Sequence, residues 1–356
     1  MCMDCLFIQL VSVVDPEIIY RDYIYVTTSS SDLDRHFSNY ASEVCDYLSY
    51  NENKLVVDIG SNDGTLLKHF KQKKHRVVGV EPAIEISKKA NEDGIKTYPH
   101  FIDKALAEQM VSENGNADLI TANNLFANID DLHGFMQAVD SLLSTEGVVI
   151  VESSYLYKMI DNMVFDWIYH EHLSYLSAVP LEAFLKGYDM HLIHIQEMLT
   201  KGGSLRYYFA RSGSEWRIDT SVQKIFESEL TKKQLRSTFQ EYAEKIGNER
   251  ERIRNYLKVY DGEKVVGYGA SATSTTLISH FDLHEYFDYL VDDNPGKIGT
   301  YSPGHQIPVY SSEKLRQDPP DVLVILAWRF KNEIMRKIED LPCKVVVPLP
   351  RFYEVR

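Results

Sequence analysis

The chain has 356 residues, enough for two domains with separate cores, and a composition of 44% hydrophobic and 25% charged residues, ordinary for a soluble protein. Lys and Arg total 38 against 52 Asp and Glu, a net charge of −14, which excludes a broad nucleic-acid-binding surface and leaves room only for a local anion pocket. No apolar run reaches the roughly 18 residues of a spanning helix, and four cysteines make no disulfide framework.

The opening MCMDCLFIQLVSVVD carries Asp4 and lacks the basic start of a signal peptide, so a cytoplasmic chain is expected. In chain order, the apolar spacing over 33–49 predicts a helix leading into a strand at KLVVDIG (54–60). A helix over 64–73, a strand RVVGVEP (76–82), a helix over 83–93 and a short extended IKTYP follow. Then come a helix near 103–112, a strand ADLITANN (117–124), a helix over 131–143 and a strand GVVIVES (147–153). Strands alternating with helices at these lengths predict a parallel sheet covered by helices on both faces. After a helix at 180–187, MHLIHIQEM and SLRYYFAR (204–211) follow one another as strands and predict an antiparallel finish. The charged, helically spaced stretch 214–257 predicts connecting helices with solvated faces. A second α/β unit is expected from KVVGYGASA (264–272), FDYLVDDNPG (287–296), DVLVILAWR (321–329), a helix near 330–339 and CKVVVPLP (343–350). The fold class is therefore α/β, with two doubly wound Rossmann-like domains at 33–212 and 260–356 joined by a helical connector at 213–259.

DIGSNDG joins the first strand to the first helix. Gly60 and Gly64 permit close backbone approach to a ligand, with Asp58, Ser61, Asn62 and Asp63 filling the turn. Glu81, followed by Pro82, ends the second strand about twenty residues on, where a carboxylate can accept both hydroxyls of a ribose. Together they predict an adenosine ligand; a plain strand-to-helix turn is the alternative. The GxGxxG spacing that seats a pyrophosphate is absent, and Asp58 and Asp63 would repel one while attracting a cationic sulfonium. That charge logic favours S-adenosyl-L-methionine over NAD.

Tyr169-His170-Glu171-His172 places a tyrosine, two histidines and a glutamate in four consecutive positions. A histidine, with an unperturbed pKa of about 6.5, suits a general base near neutral pH, and a tyrosine hydroxyl can stabilise an enolate oxygen. An extended segment would put Glu171 on the opposite side from His170 and His172, which leaves half of a metal site, or ordinary surface, as alternatives. Gly202-Gly203-Ser204 with Arg206, and the turn Gly267-Tyr268-Gly269-Ala270-Ser271, are two further candidates for contacting an anion. Tight turns that serve only packing are the alternative for both.

DIGSNDGTLL, GVEPA, TANNLFANIDDL, IYHEHLSYLS and GGSLRYY, in this order, resemble the sugar C-methyltransferases that act on nucleotide-linked 4-keto deoxysugars. GYGASATSTTL and LVDDNPGKIGTYSPG are similar to that family's C-terminal domain, so the resemblance covers nearly the whole chain. It implies a class I methyltransferase core holding S-adenosyl-L-methionine through the turn, Glu81, Pro82 and the strand-end Asn123 and Asn124. It also implies methylation at C3 of a 4-ketohexose carried by a nucleoside diphosphate, commonly dTDP. A base removes the proton alpha to the carbonyl, and the enolate takes the methyl group. Tyr169, Glu171 and His172 match the family's YxEH motif, with His172 as the base. Tyr23 and Tyr25 stand in a segment whose tyrosines reach the active site in the family.

Three positions depart from the family pattern. Asn128 replaces a histidine after NNxxA; an amide can donate to an enolate oxygen but cannot act as a base. Thr273 replaces a lysine suited to a phosphate. Of the family's zinc region, placed at residues 1–32, only Cys2-Met3-Asp4-Cys5 is present. A structural zinc site takes four protein ligands, so Cys2 and Cys5 make a half-site and zinc is not expected. Competing readings are an O- or N-methyltransferase, a catalytically impaired homologue that binds cofactor or nucleotide-sugar, and an NAD-linked sugar oxidoreductase. No nucleic-acid or membrane partner is expected.

Overall fold

A computed structural model of the chain describes residues 1–21, 23, 27, 31–231 and 235–356. Its first nine strands are β1 (Ile8–Gln9), β2 (Leu55–Ile59), β3 (Arg76–Val80), β4 (Thr97–Tyr98), β5 (Ala117–Asn123), β6 (Leu143–Ser154), β7 (Ser174–Tyr175), β8 (Met190–Met198) and β9 (Ser204–Arg211). Six more follow: β10 (Val265–Tyr268), β11 (Tyr289–Asp292), β12 (Val309–Ser311), β13 (Val322–Ile325), β14 (Lys344–Val347) and β15 (Tyr353–Glu354). The chain divides into two compact units, Met1–Leu156 with His170–Thr231, and Tyr157–Tyr169 with Lys232–Arg356.

In the first unit, seven strands lie in the order β4-β3-β2-β5-β6-β9-β8. The first five are mutually parallel, and β9 runs antiparallel to both β6 and β8. The antiparallel finish expected from the sequence is this β8–β9 pair. All five residues of β2 are buried, which is why LVVDI reads as a continuous apolar run rather than an alternation. Phe37, Tyr40 and Val44 of the helix Ser31–Leu48 pack with Leu66, Leu67 and Phe70 of the helix Thr65–Gln72 over Val56, Leu119 and Val148 of the sheet. The chain steps outward from β2 to β3 and β4, then returns to β5 on the other side of β2. That reversal leaves a crevice at the C-terminal ends of β2 and β5, where open α/β sheets bind ligands.

The second unit has the order β12-β11-β10-β13-β14-β15, parallel except for β15. The doubly wound class expected for both domains is therefore present twice. Segment Tyr157–Tyr169, which precedes the first unit's last two sheet strands in sequence, folds with this second unit. Within it, the fully buried Asp166 accepts hydrogen bonds from Trp328 Nε1 (3.0 Å), Arg329 Nη1 (3.0 Å) and Arg329 Nη2 (2.5 Å). The Phe165 ring stacks on Phe281 at 5.1 Å. The charged stretch read as one connector is also divided. The helix Thr220–Thr231 belongs to the first unit, where Glu229 accepts from Ala178 N and Val179 N at 2.7 and 2.9 Å. The helix Leu235–Leu257 belongs to the second. Among the described residues, no helix is long and apolar enough to cross a membrane.

Asp166→Ala would strand the Arg329 guanidinium, which is only 19% exposed, without its carboxylate. Removing one partner of a buried pair costs about 3–5 kcal/mol. Urea unfolding of the variant should show a loss of that order, and a loss below about 1 kcal/mol would contradict this role for Asp166.

Candidate active site

The turn after β2 takes its shape from three left-handed residues, Gly60 (φ 74°), Asn62 (φ 48°) and Gly64 (φ 74°). Only glycine adopts this region freely, with asparagine next. A Cβ on Gly60 would also sit 3.2 Å from Leu125 Cδ2, and one on Gly64 3.2 Å from three Ile95 side-chain atoms.

Every backbone N–H of this turn is already engaged. Gly60 N and Ser61 N donate to Val80 O (2.8 and 3.1 Å), Asn62 N to Glu81 Oε2 (2.9 Å), Asp63 N to Asn62 Oδ1 (3.0 Å) and Gly64 N to Ser61 O (2.9 Å). Thr65 donates through N and Oγ1 to Asp63 Oδ1 at 3.2 and 2.5 Å. A pyrophosphate would find no free backbone donor here, and it would meet carboxylates. Asp58 is 4% exposed, Glu81 6%, and Asp63 is buried as well.

The carboxylates are held in defined poses. Asp58 Oδ1 accepts from Thr121 Oγ1 on β5 at 2.6 Å. Glu81 accepts from Asn62 N through one oxygen and from Ala83 N (2.9 Å) through the other, so its remaining lone pairs face a fixed direction. Burial pushes the Asp58 carboxyl up to about 7; the Thr121 hydrogen bond opposes the rise and the Glu81 charge adds to it. Burial likewise raises Glu81, against the two N–H groups that favour its anion. Neither forms an ion pair among the described residues. Pro82 stands between Glu81 and the clamping Ala83 in sequence.

At the end of β5, both polar atoms of the Asn123 side chain are buried without a hydrogen-bond partner, as is Asn128 Oδ1. Asn124 takes a left-handed φ of 55°, and its N–H goes to Glu152 O at 2.7 Å. Buried amides left open in this way suit a polar ligand, because an unmet group costs on the order of 1–3 kcal/mol. The residues at the switch point therefore fit an adenosine-bearing cation.

The segment after the quartet is tied to the N-terminal residues. β1 pairs antiparallel with β7, matching Ile8 to Tyr175 and Gln9 to Ser174, and Leu10 N donates to Leu173 O at 2.8 Å. Further along, Tyr23 donates its hydroxyl to Glu171 Oε2 at 3.3 Å, and the Tyr20 and Tyr23 rings meet edge to face at 5.4 Å. Thr27 then donates through N (2.9 Å) and Oγ1 (3.2 Å) to Asn62 Oδ1. The N-terminal residues thus join the Glu171 neighbourhood to the glycine turn. Tyr20 and Thr27 escaped the sequence reading: Tyr20 had a signal in the tyrosine-rich IIYRDYIY, whereas Thr27 had none. Burial pushes the Tyr20 hydroxyl well up, with the Glu171 charge adding and the Asn128 amide opposing.

Around the quartet itself the backbone forms a bend and turn over 169–171, not the extended run weighed above. His170 is exposed, Glu171 and His172 are half-buried. The chain leaves the second unit at Tyr169 and enters the first at His170, so Glu171, His172, Tyr23 and Asn128 share one unit and Tyr169 is in the other. Tyr25 lies outside the described residues.

Two expected anion sites are corrected. Arg206 is fully buried, with Nε 3.0 Å from Glu152 Oε2 and Nη1 3.0 Å from Glu43 Oε2, and its guanidinium lies 3.9 Å over the Tyr40 ring. Burial would raise Glu152, but the His36 hydrogen bond (2.8 Å) and Arg206 outweigh it and keep it low. This closed network leaves Arg206 no face for a substrate. Nearby, Gly202 and Gly203 carry φ of 85° and 115°, Gly203 O accepts from Tyr155 N, and Ser204 Oγ donates to Thr200 O at 3.1 Å, as in a tight turn. In the second unit, Gly267 lies on β10, Gly269 N donates to Val291 O (2.8 Å), Ala270 N to Asp292 Oδ2 (2.8 Å), and Ser271 Oγ accepts from Ser274 N (3.2 Å). The donors expected for an anion are thus bound internally. Asp292, missed in the sequence, sits at the end of β11 as Glu81 ends β3 and accepts from Asn294 N (2.9 Å) and Lys297 Nζ (3.0 Å).

Cys2 and Cys5 are exposed free thiols in a turn closed by Leu6 N to Cys2 O at 3.1 Å. Among the described residues, no three His, Cys, Asp or Glu side chains gather as metal ligands.

Residues 33–195 match the family model described as a methyltransferase domain, and residues 199–350 the one described as a C-methyltransferase C-terminal domain. Both matched regions belong to methyltransferase models, which supports a methyltransferase. The C-methyltransferase NovU of Streptomyces niveus is 28% identical over an alignment covering 98% of this chain and 85% of that protein. Among solved structures, magnesium protoporphyrin IX methyltransferase from Synechocystis PCC 6803 with bound SAM aligns at 11% identity and a TM-score of 0.38, over 53% of this chain and 85% of its own. An S-adenosylmethionine-dependent methyltransferase from Clostridium acetobutylicum ATCC 824 aligns at 15% identity and a TM-score of 0.40, over 50% and 91%. The methyltransferase's glycine turn and the IYHEHLSYLS segment both fall inside the first matched region.

The buried acids make the ligand-free enzyme pH-sensitive in a defined direction. The folded-state pKa of Asp58 lies above its unfolded value of about 3.9, so its stabilising contribution is complete below that value and is lost as pH rises through about 7. Denaturant unfolding between pH 5 and 8 should show the wild type weakening relative to Asp58→Asn; parallel curves would contradict it.

Proposed function

We propose that this methyltransferase moves a methyl group from S-adenosyl-L-methionine to carbon, at C3, of a nucleotide-linked 4-keto-deoxysugar. When bound, S-adenosyl-L-methionine supplies an electrophilic methyl group on a sulfonium sulfur. The observation that carries the reading is the turn after β2, whose N–H groups are all engaged and beside which Asp58, Asp63 and Glu81 are buried. Such a turn disfavours a pyrophosphate and favours a cation. In this reading Glu81 takes the ribose hydroxyls, and Asn123 with Asn124 borders the adenosine.

His172 removes the proton alpha to the ketone. Glu171, itself hydrogen-bonded by Tyr23, orients that base, and the Asn128 amide donates to the enolate oxygen. Carbon is a nucleophile only after this deprotonation, so the base is indispensable to C-methylation. The nucleotide in this reading is dTDP or similar. A specific observation keeps a second reading in play. Asn128 cannot carry a proton and the turn donors of the second unit are bound internally, as in a homologue that binds without turnover.

Incubating the protein with methyl-labelled donor and a panel of dTDP- and CDP-4-keto sugars should yield a C–CH3 product, seen by mass spectrometry and NMR. Binding without any labelled product would select the second reading. His172→Gln should abolish both transfer and exchange of the alpha hydrogen with deuterated water, a loss of about 100-fold or more. Retained exchange would remove His172 as the base.

A further inference from the structure

The first unit holds two neighbouring buried carboxylates that make no ion pair among the described residues. Asp58 keeps one hydrogen bond, from Thr121 on β5, and Glu81 on the far end of β3 is its charged neighbour. Among the described residues the Tyr40 hydroxyl of the helix Ser31–Leu48 also interacts with Asp58; it is buried, makes no hydrogen bond and is held neutral by burial, and its ring lies 3.9 Å from the Arg206 guanidinium. No lysine, arginine or histidine forms an ion pair with Asp58 or Glu81 among the described residues. Two anions in this setting cannot both be ionised cheaply, because desolvation and mutual repulsion act in the same direction. A positive ligand changes that balance; a neutral one does not.

We propose that Asp58 discriminates the methyl donor from its spent product by charge, releasing a proton to solvent when the cationic sulfonium binds and taking one up when the neutral thioether is left. The proposal rests on the donor assigned above. The chemistry balances: the sulfonium loses its positive charge when its methyl leaves for the carbanion, and the carboxylate that charge had stabilised recovers a proton from water. S-adenosyl-L-methionine and S-adenosyl-L-homocysteine share the same ammonium, carboxylate and adenine, so the sulfur is the one group whose charge differs. Burial holds the ligand-free Asp58 near half protonation at neutral pH, which is where a charge-reading group has its largest response. The product would then be released more readily as pH rises, when Asp58 prefers a cationic partner.

Calorimetric titration of the full chain at pH 7, in buffers of different ionisation heat, measures the proton directly. Binding of S-adenosyl-L-methionine should release up to about half a proton, S-adenosyl-L-homocysteine close to none, and Asp58→Asn should remove the difference. A measurement needing no variant is the affinity ratio of the two ligands. It should shift toward the methyl donor by roughly three- to tenfold between pH 6 and 8. Tight binding of the methyl donor with no proton released, equal release with both ligands, or release unchanged in Asp58→Asn would overturn the inference and leave the cofactor reading intact. Failure of either ligand to bind the wild type would overturn both.

Discussion

Buried negative charge beneath the glycine turn is the constraint around which the first unit is arranged. A strand buried along its whole length brings Asp58 into the interior, and the left-handed Gly60, Asn62 and Gly64 fold the following residues back so that their N–H groups lock onto Val80 and Glu81. The same bonds that fix the turn deny it to phosphate. What remains facing the crevice is carboxylate and amide, a surface complementary to an adenosine-bearing cation and poorly suited to a dinucleotide.

A second set of contacts is built on the same turn. Asn62 shapes the turn through its backbone, and its side-chain oxygen receives Thr27. From there the N-terminal residues lead back through Tyr23 to Glu171 and, by the β1–β7 pairing, to the residues just after His172. Tyr23 and Thr27 thus contact Glu171 and Asn62, which lie far apart in sequence.

The two units repeat one device with different charge. Glu81 and Asp292 each end the second strand of their sheet, and each takes one N–H from the glycine turn and one from two residues further on. In the second unit Lys297 neutralises the acid; in the first no cation pairs with it among the described residues. Equivalent backbone geometry therefore presents opposite electrostatics, which is why the glycine pattern alone does not identify a ligand.

Much of this was legible in the sequence because it depends on local periodicity and local sterics. Apolar runs of strand length separated by amphipathic helices imposed the doubly wound class; MHLIHIQEM and SLRYYFAR imposed the antiparallel finish; glycines at 60 and 64 marked the turn and Glu81 its acid. Charge counting around Asp58 and Asp63 already pointed away from a pyrophosphate. Contacts between residues far apart along the chain decided the rest. Arg206 looked like an anion contact until Glu152 and Glu43 closed around it, Tyr157–Tyr169 joined the unit its own sequence neighbours do not belong to, and Thr27 reached Asn62 with no motif to announce it. Periodicity reports which face of an element seeks burial; it carries no record of which distant charge will be waiting there, and that is settled only when the packed chain brings the two together.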